Sequence, residues 1–87
     1  MEKKEYIDRI NELKDKIGLW DVELNEYTKA DFVIGYYYNE NTQEYTVYIN
    51  KERGRHRVRK ITKNENEALE KLVSMLEYEA ESNRYSW

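Results

Sequence analysis

The sequence predicts a small α+β domain in which four β-strands lie between an N-terminal and a C-terminal helix. Apolar residues recur at helical spacing near both ends of the chain, whereas alternating, β-branched and aromatic segments fill the middle. The 87 residues form a single domain, residues 1–87. Because the connections are short, we expect an antiparallel meander with both helices packed on one face, in the order α-β-β-β-β-α.

The first helix and the four strands follow from these patterns. Residues 3–17 carry an apolar stripe that includes Ile10 and Leu13, and Gly18 follows as a C-terminal cap. Alternation or β-branched and aromatic content predicts strands at residues 20–24, 32–38, 44–50 and 55–61.

The second helix begins after residue 62, where two residues compete as its N-cap. Thr62 has capping-box spacing with Glu65, and Asn64 is the alternative. Its apolar stripe, which suits a helix lying on a sheet, consists of Ala68, Leu69, Leu72, Val73, Leu76 and Ala80.

Alternation along the strands assigns one sheet face to the core and the other to solvent. The core face is predicted to carry Trp20, Val22, Leu24, Phe32, Ile34, Tyr36, Tyr45, Val47, Ile49 and Val58. The opposite face then carries Asp21, Glu23, Val33, Gly35, Tyr37, Thr46, Tyr48, Arg55, Arg57 and Arg59. A slip of one residue inverts this assignment, so it depends on the register.

Several classes of protein are disfavoured by composition. The chain has no cysteine, which excludes disulfides and thiolate metal sites and favours a reducing, cytoplasmic location. The N-terminal sequence has no apolar run typical of a signal peptide, and no stretch is long enough to span a membrane. His56, the single histidine, lies among arginines without an orienting carboxylate nearby in sequence. We therefore predict no catalytic residues, no metal site and no cofactor.

Charge is distributed unevenly along the chain. The formal net charge is −3, yet the segment 51–63 carries seven basic residues and one acid, so that segment is +6 and the remainder −9. A polarised domain of this kind can orient a charged partner. The basic strand can equally be neutralised by the protein's own acidic helix.

Arginine and tyrosine side chains form the predicted partner-binding surface. Both residue types are frequent in protein–protein hot spots, and both also bind single-stranded nucleic acid. A pI of about 5.2 argues against nucleic acid as the partner. A third interpretation is that the arginines bind no partner and are only solvated or paired with the protein's own carboxylates. The predicted contact residues are Tyr37, Tyr48, Arg53, Arg55, Arg57 and Arg59. An alternative acidic surface on the second helix comprises Glu70, Glu77, Glu79 and Glu81.

Residues 50–76, NKERGRHRVRKITKNENEALEKLVSML, resemble the C-terminal half of the small α+β immunity proteins of bacterial polymorphic-toxin systems. The resemblance is carried by a strand, the turn Glu52-Arg53-Gly54, a second strand and a helix opened by the E-x-E-A pattern at residues 65–68. Richness in Lys, Asn, Glu, Tyr and Ile also fits a low-GC bacterium or a phage.

The resemblance implies a cytoplasmic, non-enzymatic inhibitor that binds and neutralises a cognate toxin, such as a nuclease-type effector. The chain departs from many immunity proteins because its distinctive surface is basic rather than acidic. Two alternatives remain: a nucleic-acid-binding regulator that uses the arginines and tyrosines, and an acidic anti-CRISPR-type inhibitor that uses the carboxylates of the second helix. We expect a monomer or a weak homodimer that does not bind membranes.

Overall fold

The computed structural model describes residues 2–84, and it has the α+β architecture that the sequence predicts. The two helices are α1 (Lys3–Leu13), which a short 3-10 turn at Lys14–Lys16 extends, and α2 (Glu65–Arg84). The four strands are β1 (Asp21–Leu24), β2 (Val33–Asn39), β3 (Glu44–Asn50) and β4 (His56–Thr62). The prediction that Tyr85 and Trp87 fold back onto the surface falls on residues outside those that the structure describes.

The sheet is mixed, so the prediction of a fully antiparallel meander is wrong at one strand pair. The strands lie in the order β1-β2-β3-β4, and both β2–β3 and β3–β4 are antiparallel. β1 runs parallel to β2, with Val22 opposite Ile34 and Leu24 opposite Tyr36. The connection between them, residues 25–32, must therefore return along the length of the sheet. We call this connection the crossover loop.

Left-handed residues at both ends of the crossover loop allow this short parallel connection. Asn25 has φ 55° and Phe32 has φ 58°, so the chain reverses direction twice without a glycine. The amide of Glu26 donates to the carbonyl of Tyr36 at 2.9 Å, and the amide of Asp21 donates to that of Phe32 at 2.8 Å. The parallel connection from β1 to β2 is therefore made by a loop, without a helix.

The core lies between the sheet and the two helices, on what we call the helix face. α2 packs on β2, β3 and β4, and α1 packs beside α2. The buried cluster consists of Tyr6, Ile10, Leu13, Ile17, Ile34, Tyr36, Val47, Ile49, Ala68, Leu69, Leu72, Val73, Met75 and Leu76. Of the other predicted core residues, Trp20, Val22, Leu24 and Tyr45 are partly buried against this cluster, and Phe32 is half-buried beside Trp20. Val58 is not in the core, because it is 50% exposed.

Two of the predicted caps are confirmed. Gly18 ends the first helical segment with φ 65°, a conformation that glycine adopts without strain. Asn64, rather than Thr62, caps α2: its Oδ1 accepts from the amides of Asn66 at 2.8 Å and Glu67 at 3.4 Å. Thr62 instead accepts from the amide of Asn64 at 3.1 Å and so supports the cap.

A β-bulge in β4 changes which arginines share a face. Tyr48 pairs with Val58 but Val47 pairs with Lys60, so Arg59 is the extra residue. Arg57 lies opposite Ile49, a core residue, and is therefore on the helix face at the sheet edge. The prediction that Arg55, Arg57 and Arg59 all point away from the helices is wrong, because the register is inverted on one side of the bulge.

Neither helix within residues 2–84 combines the length and apolar character that crossing a membrane requires.

Candidate partner-binding surface

The sheet face away from the helices, which we call the outer face, is largely covered by the crossover loop. Tyr48 is 0% exposed and Asn50 is 2% exposed, and both lie on this face. The expectation that Tyr48 offers a free ring for a partner is therefore wrong. Tyr37 is half-buried, so only part of its ring remains accessible.

Asn50 fastens the crossover loop to the sheet through its side-chain amide. Its Nδ2 donates to the carbonyls of Thr28 at 2.7 Å and Ala30 at 3.0 Å. Its Oδ1 lies 2.6 Å from Nδ1 of His56. Because Nδ2 is committed to two carbonyls, Oδ1 must accept, and Nδ1 of His56 must carry the proton. His56 therefore uses Nδ1, one of its two ring nitrogens, to donate a hydrogen bond to Asn50.

An aromatic cluster fills the space beneath the crossover loop. Tyr48 stacks on His56 with ring centroids 5.3 Å apart, and Tyr27 contacts Tyr37 at 5.3 Å and His56 at 5.7 Å. The Tyr48 hydroxyl donates to the carbonyl of Glu26 at 2.7 Å. Burial raises the pKa of Tyr48 to about 12. The cluster therefore joins the crossover loop to the sheet around the buried ring of Tyr48, while Tyr27 and His56 lie at its exposed side.

Gly35 lies opposite Tyr48 in the sheet, at a position that has no space for a side chain. A Cβ atom at this position would lie 2.6 Å from the backbone oxygen of Glu23 and 2.9 Å from the Tyr48 hydroxyl. Both distances are below normal contact, and the first involves backbone that cannot rotate away. The predicted outer-face residue Gly35 is thus a packing requirement rather than part of an exposed surface.

The free edge of β4 presents exposed cations. Arg55, Arg57 and Arg59 are all exposed, and no ion pair between described residues involves any of them. By contrast, Lys60 pairs with Glu67 on α2 at 3.7 Å. The neighbouring acidic helix therefore neutralises one cation of the strand and leaves the three arginines available.

Two apolar side chains accompany these arginines on the other side of the same strand. Val58 is 50% exposed and Ile61 is 55% exposed, and both point to the outer face, opposite Tyr48 and Thr46 respectively. Together with Arg57 and Arg59, they form what we call the β4 rim. Arginine beside exposed aliphatic side chains is a combination typical of protein interfaces.

The helix-face side of the β4 rim continues into a groove between β4 and α2. Its volume is 380 Å³, and its lining residues are Ile49, Lys51, Arg59, Lys71, Ser74, Met75, Tyr78 and Glu79. Tyr78 is 71% exposed. The groove thus combines cations, one carboxylate and apolar surface directly beside Arg59.

A second cleft lies at the end of the sheet, where Arg53 and Arg55 are found. Its volume is 330 Å³, and its lining residues are Trp20, Phe32, Lys51, Glu52, Arg53 and Arg55. The predicted arginine set is therefore divided between two places: Arg53 and Arg55 line this cleft, whereas Arg57 and Arg59 belong to the β4 rim.

The alternative acidic surface is also divided. Glu70, Glu77 and Glu81 are exposed and spaced along one face of α2, whereas Glu79 lies half a turn away and lines the groove. Glu77 forms an ion pair with Arg9, with 3.0 Å between Oε2 of the glutamate and Nη2 of the arginine. Hydrogen bonds to Glu77 and Glu12 raise the pKa of Arg9. Part of the negative charge on α2 is therefore neutralised by α1.

No group of three or more His, Asp or Glu side chains within the described part of the chain is placed to hold a metal ion. No family model, curated protein or solved structure matches the chain.

Sequence reasoning located the basic strand but missed its apolar partners. Val58 was assigned to the core, and Ile61 was not recognised as exposed. The extra residue at Arg59 reverses the alternation of inward and outward side chains along β4. The sequence gives no strong sign of this bulge, because the strand contains no glycine. Trp20 packs partly against the core as predicted, Phe32 does not join the core cluster, and both rings line the sheet-end cleft.

Proposed function

We propose that this chain is a non-catalytic inhibitor that binds an acidic surface of another protein through the β4 rim. The observation that carries the proposal is that Arg57 and Arg59 are exposed on an edge strand and have no ion pair among the described residues. A protein uses such arginines to fork onto carboxylates of a partner. Val58 and Ile61 supply apolar contact area on the outer face of the same edge strand.

The proposed biological role is that of a cytoplasmic immunity protein that neutralises a cognate bacterial toxin. The strand–turn–strand–helix pattern of residues 50–76 supports this role, as does a fold in which the basic strand lies at an open edge. The groove beside Arg59 extends the contact surface with the exposed ring of Tyr78. A toxin whose active site is ringed by carboxylates is the partner that this charge pattern fits.

The charge of the β4 rim also favours a monomer before the partner binds. An edge strand is able to pair with the same strand of a second copy, but arginines placed opposite one another repel. The bulge at Arg59 further disturbs such pairing. Both features protect the edge from self-association and leave it open to an acidic partner.

The test uses a double charge reversal on the rim and a matched one elsewhere. Arg57→Glu/Arg59→Glu changes the net charge by four, as does Lys4→Glu/Lys14→Glu on exposed positions of the α1 region. The probe is the partner protein captured from cells with the wild-type chain, then co-expressed with each variant and scored by cell growth. We expect loss of protection with the arginine pair alone.

A nucleic-acid regulator is separated from this proposal by salt dependence. Labelled single-stranded and duplex oligonucleotides are titrated with the protein at about 50 and about 200 mM salt, a range over which phosphate contacts lose affinity steeply. Binding through Arg57 and Arg59 that collapses at the higher salt would replace the proposed function with nucleic-acid binding.

A further inference from the structure

Four chain segments bring aromatic and cationic side chains together at one end of the sheet. Trp20 directly precedes β1 and Phe32 directly precedes β2, while Lys51 follows β3 and Arg55 precedes β4. Because β1 and β2 are parallel to each other and antiparallel to β3, these positions all lie at the same end. The parallel pairing, which the sequence did not reveal, places Trp20 at the same end as Phe32 and the cations.

The aromatic side of the sheet-end cleft is rigidly held. The rings of Trp20 and Phe32 meet edge to face, with centroids 5.7 Å apart and an interplanar angle of 83°. The carbonyl of Phe32 accepts from the amide of Asp21 at 2.8 Å, which ties Phe32 to the first residue of β1, and the amide of Trp20 donates to the carbonyl of Ile17 at 3.3 Å. Phe32 keeps a left-handed backbone with φ 58°, an unusual conformation for a bulky aromatic residue. Each ring stays half-buried and presents part of its surface to the cleft.

The opposite side of the cleft is cationic. Lys51, Arg53 and Arg55 line it, with Glu52 as the one carboxylate. Arg53 approaches Glu52 only at 3.6 Å, and its side chain is 87% exposed. A surface pair of this kind is weak, so the guanidinium can exchange its partner for a bound anion. The amide of Lys51 donates to the carbonyl of Arg55 at 2.7 Å and closes the turn that carries these cations.

We propose that the sheet-end cleft binds a nucleotide, with the base against Trp20 and Phe32 and the phosphate between Arg53, Arg55 and Lys51. Aromatic rings and arginines are the side chains that recognise a base and a phosphate at neighbouring positions. The volume of 330 Å³ lies at the small end of the range for ligand pockets, about 300–1,000 Å³, which suits one nucleotide unit. This site is separate from the β4 rim, because neither Arg57 nor Arg59 lines it.

The test separates the base from the phosphate. Trp87→Phe leaves Trp20 as the single tryptophan, so its fluorescence reports on the cleft, and calorimetry provides the affinity. The probes are AMP, adenosine, ribose 5-phosphate and inorganic phosphate. We expect AMP to bind with a Kd below ~1 mM and at least ~10-fold more tightly than any of the three fragments.

Variants then locate the binding. Arg53→Glu/Arg55→Glu should abolish AMP binding, and Phe32→Leu should weaken it roughly 3- to 10-fold. Neither Lys4→Glu/Lys14→Glu nor Arg57→Glu/Arg59→Glu should change it more than about 3-fold, since these residues lie outside the cleft. Equal AMP binding by Arg53→Glu/Arg55→Glu and its control would overturn the proposal, as would AMP binding no tighter than inorganic phosphate.

An oligonucleotide arm identifies the source of the nucleotide. A single strand of about ten nucleotides with a 5′-phosphate is compared with AMP in the same variants. Equal affinity assigns the cleft to a free nucleotide. Affinity that is more than ~10-fold higher, and that still requires Phe32 and Arg53, assigns it to one nucleotide of a strand. No binding of either probe below ~1 mM would refute the site.

Discussion

Replacing Asn50 with alanine should destabilise the domain by releasing the crossover loop from the outer face of the sheet. The substitution removes the amide that donates to the carbonyls of Thr28 and Ala30 and accepts from His56. The crossover loop would keep its backbone bond at Glu26 but lose its fastening at the far end of β3.

The magnitude follows from those three bonds. Each contributes roughly 0.5–1.5 kcal/mol net, and the carbonyl of the half-buried Thr28 adds a penalty of about 1–3 kcal/mol when it loses its donor, whereas Ala30 is exposed. We expect a loss of about 3 kcal/mol, somewhat less than the sum because part of the loop can lift into water. A domain of this size has a free energy of unfolding of roughly 5–15 kcal/mol, and the melting temperature should fall by about 12–24 °C.

The assay is urea unfolding followed by circular dichroism, with Asn11→Ala as the matched control. Asn11 is exposed on α1, so its truncation should change stability by less than ~0.5 kcal/mol. Hydrogen exchange of the amides in residues 26–31 then distinguishes loosening of the loop from global unfolding. Equal urea midpoints for the two variants would refute the account of how the loop is held.

Three further predictions concern packing, pH and capping. Gly35→Ala should cost about 2–3 kcal/mol, measured by urea unfolding, because the new Cβ meets the backbone oxygen of Glu23; an unchanged midpoint would contradict this. The pKa of Tyr48 is raised to about 12 in the folded state, whereas in the unfolded chain this hydroxyl ionises near pH 10. The contribution of Tyr48 to the free energy of unfolding should therefore be fully present below about pH 10 and should fall by roughly 2 kcal/mol by pH 11.5. That figure is the share of Tyr48 alone, because burial and the hydrogen bond to Glu65 also raise the pKa of Tyr36. Tyr48→Phe should therefore remove the Tyr48 share and leave the Tyr36 share, whereas a pH profile identical to that of the wild-type chain would contradict the role of Tyr48. Asn64→Ala should cost about 1 kcal/mol in the same urea assay, since two amides of α2 lose their acceptor, and no change would mean that Thr62 alone suffices as a cap.

The helices and most strand positions were predictable because each has a clear local signature. The alternation in Glu44–Asn50 matches β3 at both ends, and the Asn64 cap lies among the two candidates that the sequence offered. These features depend on neighbouring residues alone. A periodic stripe or a capping side chain identifies them without knowledge of the tertiary structure.

The direction of β1 and the face of the arginines were not predictable from local patterns. A parallel pair normally needs a connection of a dozen or more residues, so residues 25–32 favoured an antiparallel turn. The reversal depends on left-handed Asn25 and Phe32, and Phe32 gives no warning of such a conformation. The bulge at Arg59 then changed the side to which Arg57 and Val58 point. Both errors arise from the tertiary arrangement of strands: the first hid the crossover loop that covers Tyr48, and the second misplaced Arg57 and Val58.

The central claim is that the arginines of the β4 rim bind an acidic protein partner. The most direct measurement is calorimetry at physiological salt with the partner protein captured by the wild-type chain. It compares the affinity of that partner for the wild-type chain, Arg57→Glu/Arg59→Glu and Lys4→Glu/Lys14→Glu. The account predicts at least ~10-fold weaker binding for the arginine pair and a change of less than about 3-fold for the lysine pair. Equal affinity of all three proteins for that partner would contradict it.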